Sequence, residues 1–281
     1  MSERILETGE WKRARTEGPK LAYSAVYADS PRGVLAIIHG YADHSARYAM
    51  AMRAFADKGI SCVGIDLRGH GHSGGERGHA LRFDEYLDDA RELVALVDAK
   101  VPVVPRFLLG HSFGGVVAVK TILAKIGSFE ALALSDPYIG LALEVPALKI
   151  LAGKIASTIV PGLGLPSGLT GAQMTNDAAA ARAYDEDPLV FKNVRARWFT
   201  ETVAAQGEIL ARASEITLPL FVSFGGADPV AKLETAKQFF DATRSRRKQW
   251  ETLEGLKHEP FSEPSHAPGL AGRVANFLLG E

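Results

Sequence analysis

The sequence predicts an α/β chain: a mostly parallel central sheet flanked by helices, with one inserted helical segment. Three observations lead there. Short apolar runs without polar alternation recur along the chain, as expected of strands buried on both faces. Amphipathic helical stretches fill the intervals between them, the alternation of a parallel sheet covered on both sides. One interval, 138–217, is far too long for an ordinary strand-to-helix connection.

Taken in order, LAYSAVYAD (21–29) alternates apolar and polar residues and reads as an antiparallel edge strand. The buried strands are GVLAIIHG (33–40), ISCVGIDLRG (60–69), RFLLGH (106–111), ALALSD (131–136), LPLFVSFGG (218–226) and KQWETLEG (248–255). Helices are expected near 45–58, 84–99, 114–126, 230–242 and 268–279. Residues 1–137 and 218–281 would then form the core, and 138–217 a helical cap without a clear buried strand. Within the cap, Leu148, Leu151, Ala152, Ile155 and Ile159 share one helical face, opposite Lys149, Gly153, Lys154 and Ser157. Packing down onto the core is the favoured reading of that face, and contact with a lipid surface is the other.

A hydrophobic fraction of 47%, charged residues at 23% and a formal net charge of -1 describe an ordinary globular balance with no positive field to attract nucleic acid. The basic run RSRRK (244–248) is short enough to be a solvated face. The single cysteine, Cys62, cannot form an internal disulfide, which suits a reducing compartment. The opening MSERILETGEWKRARTEG lacks the apolar stretch and cleavage site of a secretory signal. The most apolar region, 131–165, is interrupted by Asp136, Pro137, Glu144, Pro146, Lys149 and Lys154, so no membrane span is expected there. The resulting expectation is a cytoplasmic protein, with peripheral membrane contact through the cap as the alternative.

Two stretches, GHSGG (71–75) and GHSFG (110–114), match the pattern Gly-x-Ser-x-Gly of a nucleophile elbow. An elbow needs a buried strand before the serine, a helix after it, and small residues where the turn is tight. RFLLGHSFGGVVAVKTILAKI (106–126) supplies all three, whereas Ser73 sits in the glycine loop GHGHSGGERGHALRF. Ser112 is therefore the candidate nucleophile and Ser73 a loop residue. Acyl transfer at a serine also needs a base and a group that orients it, following the serine in the order acid, histidine. Asp228 follows the strand LPLFVSF and His258 follows KQWETL. Asp136 and His266 are competitors for these roles. Asp66 precedes the serine and reads as a structural carboxylate. The backbone N–H groups of Phe113 and of Tyr41, in HGYADHSARY, are the expected oxyanion hole. His70, His72 and His79 lack the partners and spacing of a zinc motif, so no metal and no cofactor are expected.

These residues together resemble the α/β-hydrolases of the monoacylglycerol lipase and lysophospholipase type, also grouped as the serine aminopeptidase S33 or Hydrolase_4 set. The resemblance runs in order through HGYADHSARY, DLRGHGHSGGERGH with FDEYLDD, GHSFGG, YDEDPLV, GADPV and HEPFSE. It implies an α/β-hydrolase fold and hydrolysis of a small lipid or other carboxylic ester, most simply a monoacylglycerol, with an acyl tunnel in the cap dominated by Leu, Ile and Val. It also implies a polar-head site at Asp43, Arg47, His111 and Tyr184. Asp43 stands where the family usually has Glu, which shortens its reach to a hydroxyl. Pro260 and Pro264 follow the candidate base and delay the last helix. A lysophospholipase or broad carboxylesterase, an aminopeptidase or amide hydrolase, and a non-catalytic binding module remain as alternatives.

Overall fold

The computed structural model describes residues 4–101, 103–142, 153 and 155–281. Its strands are β1 (Glu7–Trp11), β2 (Leu21–Val26), β3 (Gly33–Ile38), β4 (Ile60–Ile65), β5 (Arg106–His111), β6 (Ala131–Ser135), β7 (Gly164–Pro166), β8 (Asn193–Arg195), β9 (Leu220–Gly225) and β10 (Lys248–Leu253). Eight of them form one sheet in the order β1-β2-β4-β3-β5-β6-β9-β10, in which β2 runs antiparallel to both β1 and β4 and the other pairs are parallel.

Continuous apolar strands have two buried faces, and β3 shows why. Val34, Ala36 and Ile38 belong to one core and Leu35 and Ile37 to the other. The first core is covered by α2 (Asp84–Lys100), α3 (Phe113–Leu123) and α6 (Ala196–Ala211), through side chains such as Leu96, Val117 and Ile209. The second is covered by α1 (Ala49–Asp57) and α8 (Ala267–Leu279), through Met52, Phe55, Leu270 and Val274. Helix α2 begins with Asp84 and Glu85 and ends with Lys100, charges that complement its dipole.

Two expectations about the strands are corrected. β2 is antiparallel but is not the edge, and all six of its residues are buried. β10, expected as a buried strand, is one edge of the sheet and only its Leu253 is buried, while the other edge is β1, whose sequence ETGEW is too polar to announce a strand. It is held by β2 and by the chain that follows it: the Glu92 carboxylate accepts N–H donors from Ala14, Arg15 and Thr16 at 2.7, 2.8 and 2.6 Å and from the Trp11 indole at 3.0 Å. Burial works against that charge, but the donors prevail and push the Glu92 pKa down to about 2.

The segment 138–217 is mostly helical, with α4 (Gly171–Met174), α5 (Ala178–Glu186) and α6, yet it also contains the antiparallel pair β7–β8. Three-residue strands leave too little pattern to be read from sequence. Of the apolar helical face, Leu148, Leu151 and Ala152 lie outside the described residues. Ile155 and Ile159 are 53% and 73% exposed, so this part of the face is not packed onto the core. Among the described residues, no helix is long and apolar enough to cross a membrane. α7 (Leu233–Ala242) and α8 complete the fold, α8 starting at Ala267 after a short 3-10 turn at Pro260–Ser262 that accommodates the first proline.

Candidate active site

The carboxyl ends of the parallel strands bring three loops to one place, the usual position of a site in an open α/β sheet. Ser112 lies between the last residue of β5 and the first of α3, with φ 52° and ψ -121°. A left-handed φ is costly for a residue with a Cβ, and its retention here is what a strained strand-to-helix turn requires. The neighbouring glycines allow the approach. A methyl group at Gly114 would lie 2.2 Å from the Ile38 carbonyl oxygen, and one at Gly110 would lie 2.4 Å from that of Gly114.

Ser112 Oγ is 2.8 Å from His258 Nε2, and His258 Nδ1 is 2.8 Å from Asp228 Oδ2. The second Asp228 oxygen accepts the N–H groups of Val230 at 2.7 Å and Ala231 at 3.2 Å, which fixes the carboxylate in its loop. Burial disfavours charge on His258, but Asp228 overrides it and raises the imidazole to about 9. The same pairing lowers Asp228 against its own burial. Asp136, the competing acid, does not bond His258. It is nevertheless adjacent: ligand atoms of Asp136, Asp228 and His258 all lie within 4.8 Å of one another. His266 is elsewhere, in the position just before α8, with its side chain bonded to Ser265 and not to the helix end.

Ser73 is bound differently. Its Oγ donates to the Asp66 carbonyl at 2.5 Å and accepts the Ala22 N–H at 2.8 Å. Asp66 is the expected structural carboxylate, accepting from the Ser45 N–H and hydroxyl and from the His72 N–H. Among the described residues, the group of His, Cys, Asp and Glu side chains spaced to hold an ion is Asp136, Asp228 and His258, not the glycine-loop histidines.

Phe113 is the first residue of α3, and the leading N–H groups of a helix have no partner within it. Gly40, which precedes Tyr41, is against the serine: a methyl group there would lie 3.3 Å from Ser112 Cβ. The Tyr41 side chain points away from it. Its hydroxyl donates to the Gly78 carbonyl at 3.0 Å and accepts the Arg195 N–H at 3.2 Å, while its ring stacks on Trp198 at 3.7 Å. The loop carrying Tyr41 is thereby tied to β8 and α6. The rings of Tyr86 and Trp198 stand 5.0 and 5.2 Å from that of Phe113, and all three are buried.

Of the expected head-site residues, Asp43, Arg47 and His111 line one small cavity beside the serine, together with Tyr48, Glu259, Phe261 and Ser262. Tyr184, on α5, is not part of that lining but packs on it through Arg47, whose guanidinium is 5.0 Å from its ring centre. Arg47 donates to Asp43 at 3.0 Å and to both Glu259 oxygens at 3.0 and 2.6 Å. Asp43 spends its other oxygen on the Tyr48 hydroxyl at 2.9 Å. Burial opposes the Asp43 charge, yet Arg47 holds this carboxyl well below its ordinary range. Burial, then the nearby His258, pushes His111 down to about 4 and keeps it neutral. Glu259 is a member of the site that sequence reasoning misses. Its one signal is its place directly after His258, while its partner Arg47 is 212 residues away.

Comparison with known proteins agrees with this geometry. The family model Hydrolase_4, described as serine aminopeptidase S33, matches residues 29–265. A monoacylglycerol lipase from Mycolicibacterium smegmatis is 30% identical over 88% of this chain and 89% of its own length. Phospholipase YtpA from Bacillus subtilis is 32% identical over 84% of this chain and 92% of its own. In fold, the chain is similar to the crystal structure of a monoacylglycerol lipase from Paleococcus ferrophilus, with a TM-score of 0.83 at 23% identity over 94% of this chain and 99% of that one. The mostly parallel sheet is thus an α/β-hydrolase sheet, and the chain belongs to the serine aminopeptidase S33 family of hydrolases.

Proposed function

We propose that this protein hydrolyses the ester bond of a monoacylglycerol or a closely similar single-chain lipid through an acyl-enzyme. The observation that carries the reading is the hydrogen-bonded chain from Ser112 through His258 to Asp228, built on a serine in left-handed backbone. His258 takes the Ser112 proton as Oγ attacks the ester carbonyl, and Asp228 orients the ring and balances the imidazolium. The Tyr41 and Phe113 amides receive the oxyanion, where one such donor contributes about 3 kcal/mol to lowering the barrier. His258 then protonates the leaving alcohol, and water repeats the cycle on the acyl-enzyme. No cofactor enters these steps.

The head group is read from the cavity at Asp43, Arg47, His111 and Tyr184. Two carboxylates face a single guanidinium there, and Arg47 is fully engaged by them. A neutral glycerol head fits that balance better than a phosphate, which would meet two carboxylates already paired to Arg47. This favours the monoacylglycerol lipase relative over the phospholipase relative as a guide to substrate. An aminopeptidase would need an unpaired carboxylate for its ammonium group, whereas both carboxylates here are paired to Arg47.

Residues 138–217 are proposed as a cap over the core formed by 1–137 and 218–281. The exposed apolar side chains Ile155, Ile159, Val160, Leu163 and Leu165 support transient contact of this cap with lipid. The test is release of fatty acid from 1-monolauroylglycerol and from lauroyl lysophosphatidylcholine, by wild type and Ser112→Ala. Preference for the glycerol ester, lost in the variant, is expected. Equal or greater activity on the lysophospholipid would transfer the reading to the phospholipase side.

A further inference from the structure

The acid position of the site holds two carboxyls where the reaction uses one. Asp228 is bonded to His258 and to two backbone N–H groups of its own loop. Asp136 follows β6, the strand between β5 and β9, and is completely buried. It adopts a left-handed φ of 46°, unusual for a residue with a side chain, and its carboxyl is held at both ends. Oδ1 accepts the Gly225 N–H at 2.7 Å, where β9 enters the Asp228 loop, and Oδ2 accepts the Ser135 hydroxyl at 2.9 Å. Neither bond reaches His258, yet the Asp136 carboxyl lies within 4.8 Å of the ligand atoms of both His258 and Asp228.

We infer that Asp136 is a second acid of this site: it positions the Asp228 loop, and it stands in reserve to balance the His258 imidazolium when the Asp228 charge is lost. The inference rests on the proposed roles of Ser112 and His258. Two carboxylates this close in a dry site do not both stay ionised, and their environments here are unequal. Asp228 has the imidazole and backbone donors. Asp136 is pushed far up, first by burial and then by the charge of Asp228. The groups facing it from neighbouring elements are Asp228 and His258, with His111 reaching the same Ser135 that Asp136 bonds. With Asp228 ionised, Asp136 keeps its proton, the Ser135 hydroxyl turns to accept it while the Gly225 N–H bond is retained, and Asp136 serves as a positioning residue. With Asp228 removed, its repulsion goes too. Burial, the larger cause, remains, so Asp136 releases its proton to solvent only above the ordinary carboxylate range and there leaves one carboxylate beside the imidazole.

The experiment measures hydrolysis of para-nitrophenyl laurate against pH for wild type, Ser112→Ala, Asp228→Ala, Asp136→Asn and the Asp136→Asn/Asp228→Ala double variant. Loss of the acid in a serine triad ordinarily lowers kcat about ten-thousand-fold. If Asp136 stands in reserve, Asp228→Ala loses only about a hundred-fold. With Asp228 gone, the limb set by His258 falls toward the ordinary imidazole value; above it the residual rate climbs a second time as Asp136 ionises, and the double variant falls about a further hundred-fold and keeps only the His258 limb. Asp136→Asn keeps one acceptor oxygen for the Gly225 N–H and can donate its NH2 to the Ser135 hydroxyl oxygen, and it is expected to lower kcat less than ten-fold. The pH profile of Asp228→Ala needs no change at Asp136, so it decides the matter even if the Asp136 variants fold poorly. A full ten-thousand-fold loss in Asp228→Ala with no second climb above the His258 limb overturns the inference, as does a double variant equal to the product of the single ones. A wild type without esterase activity, or an active Ser112→Ala, would instead overturn the reading of Ser112 on which the inference stands.

Discussion

GHSGG at 71–75 and GHSFG at 110–114 share one five-residue pattern, and the structure gives them opposite uses. At 110–114 the serine is strained and its hydroxyl meets an imidazole. At 71–75 the serine hydroxyl is consumed by a carbonyl and a backbone N–H that join the glycine loop to β2. The glycines differ in the same way. Gly75 is needed for its backbone, with φ of 103°, and Gly71 for both backbone and space, with φ of 48° and a Cβ position 2.1 Å from Asp66 Oδ2. Gly110 and Gly114 are needed for space, since a Cβ on either would press into a carbonyl oxygen. A motif states which residues are small or nucleophilic, but the strand before and the helix after decide what the turn does with them.

The largest test of that contrast is the serine itself. Ser112→Ala is expected to remove esterase activity by about a million-fold and to abolish labelling by a fluorophosphonate, because nucleophile and base act as one unit. Ser73→Ala is expected to label normally. Reversed labelling would break the comparison outright.

The glycines give the next largest effect. Gly114→Ala would place a methyl group 2.2 Å from Ile38 O and 2.4 Å from His39 O, and backbone atoms cannot step aside as a flexible side chain could. Loss of more than about 3 kcal/mol of stability is expected, visible in urea unfolding or as failure to accumulate folded protein. Gly75→Ala meets its nearest atom at 3.2 Å and suffers mainly from its φ, a cost of about 1–3 kcal/mol. Equal effects would mean that the two turns use their glycines alike.

The two turns also differ in response to pH. Ser112 faces His258, whose burial favours the neutral ring but whose pairing with Asp228 raises it to about 9. The base must be neutral to take the serine proton, so kcat/KM should climb about ten-fold per pH unit and level off near pH 9. Asp228→Asn should move that limb down toward the ordinary imidazole value. The sign for stability is the reverse: a folded value above the ordinary 6.5 contributes fully below that pH and fades as pH rises through about 9. A wild-type limb already at or below 6.5 would show that desolvation outweighs Asp228.

How much of the molecule is legible in its sequence follows from range. The path from β5 through Ser112 into α3 is written in consecutive residues, and Asp228 and His258 each lie just after a recognisable strand, so the order of residues alone names the chain from serine to acid. It cannot name β1, because that polar segment becomes a strand only through pairing with β2 and the Glu92 contacts more than 70 residues away. Glu259 and the placement of Asp136 depend likewise on partners remote in sequence. The face through Ile155 and Ile159 escapes for another reason: helical periodicity is the same whether an apolar face is packed or left open.

The smallest expected effect sharpens the contrast from the other side. If Ser73 is a fastener, removing its hydroxyl should touch stability and leave chemistry alone. Ser73→Ala leaves the Ala22 N–H of β2 without its acceptor and the Asp66 carbonyl without that donor, in a place where both are buried. Leaving a buried backbone group unpaired costs about 1–3 kcal/mol. Urea unfolding should show a lower midpoint at unchanged slope, while kcat and KM on para-nitrophenyl laurate stay within two-fold of wild type. Ser73→Thr keeps the hydroxyl and should recover part of the loss, to the extent that its extra methyl group fits. A fall in kcat without a fall in stability would show that the glycine loop reaches the reacting atoms, and the separation between the two turns would then have to be redrawn.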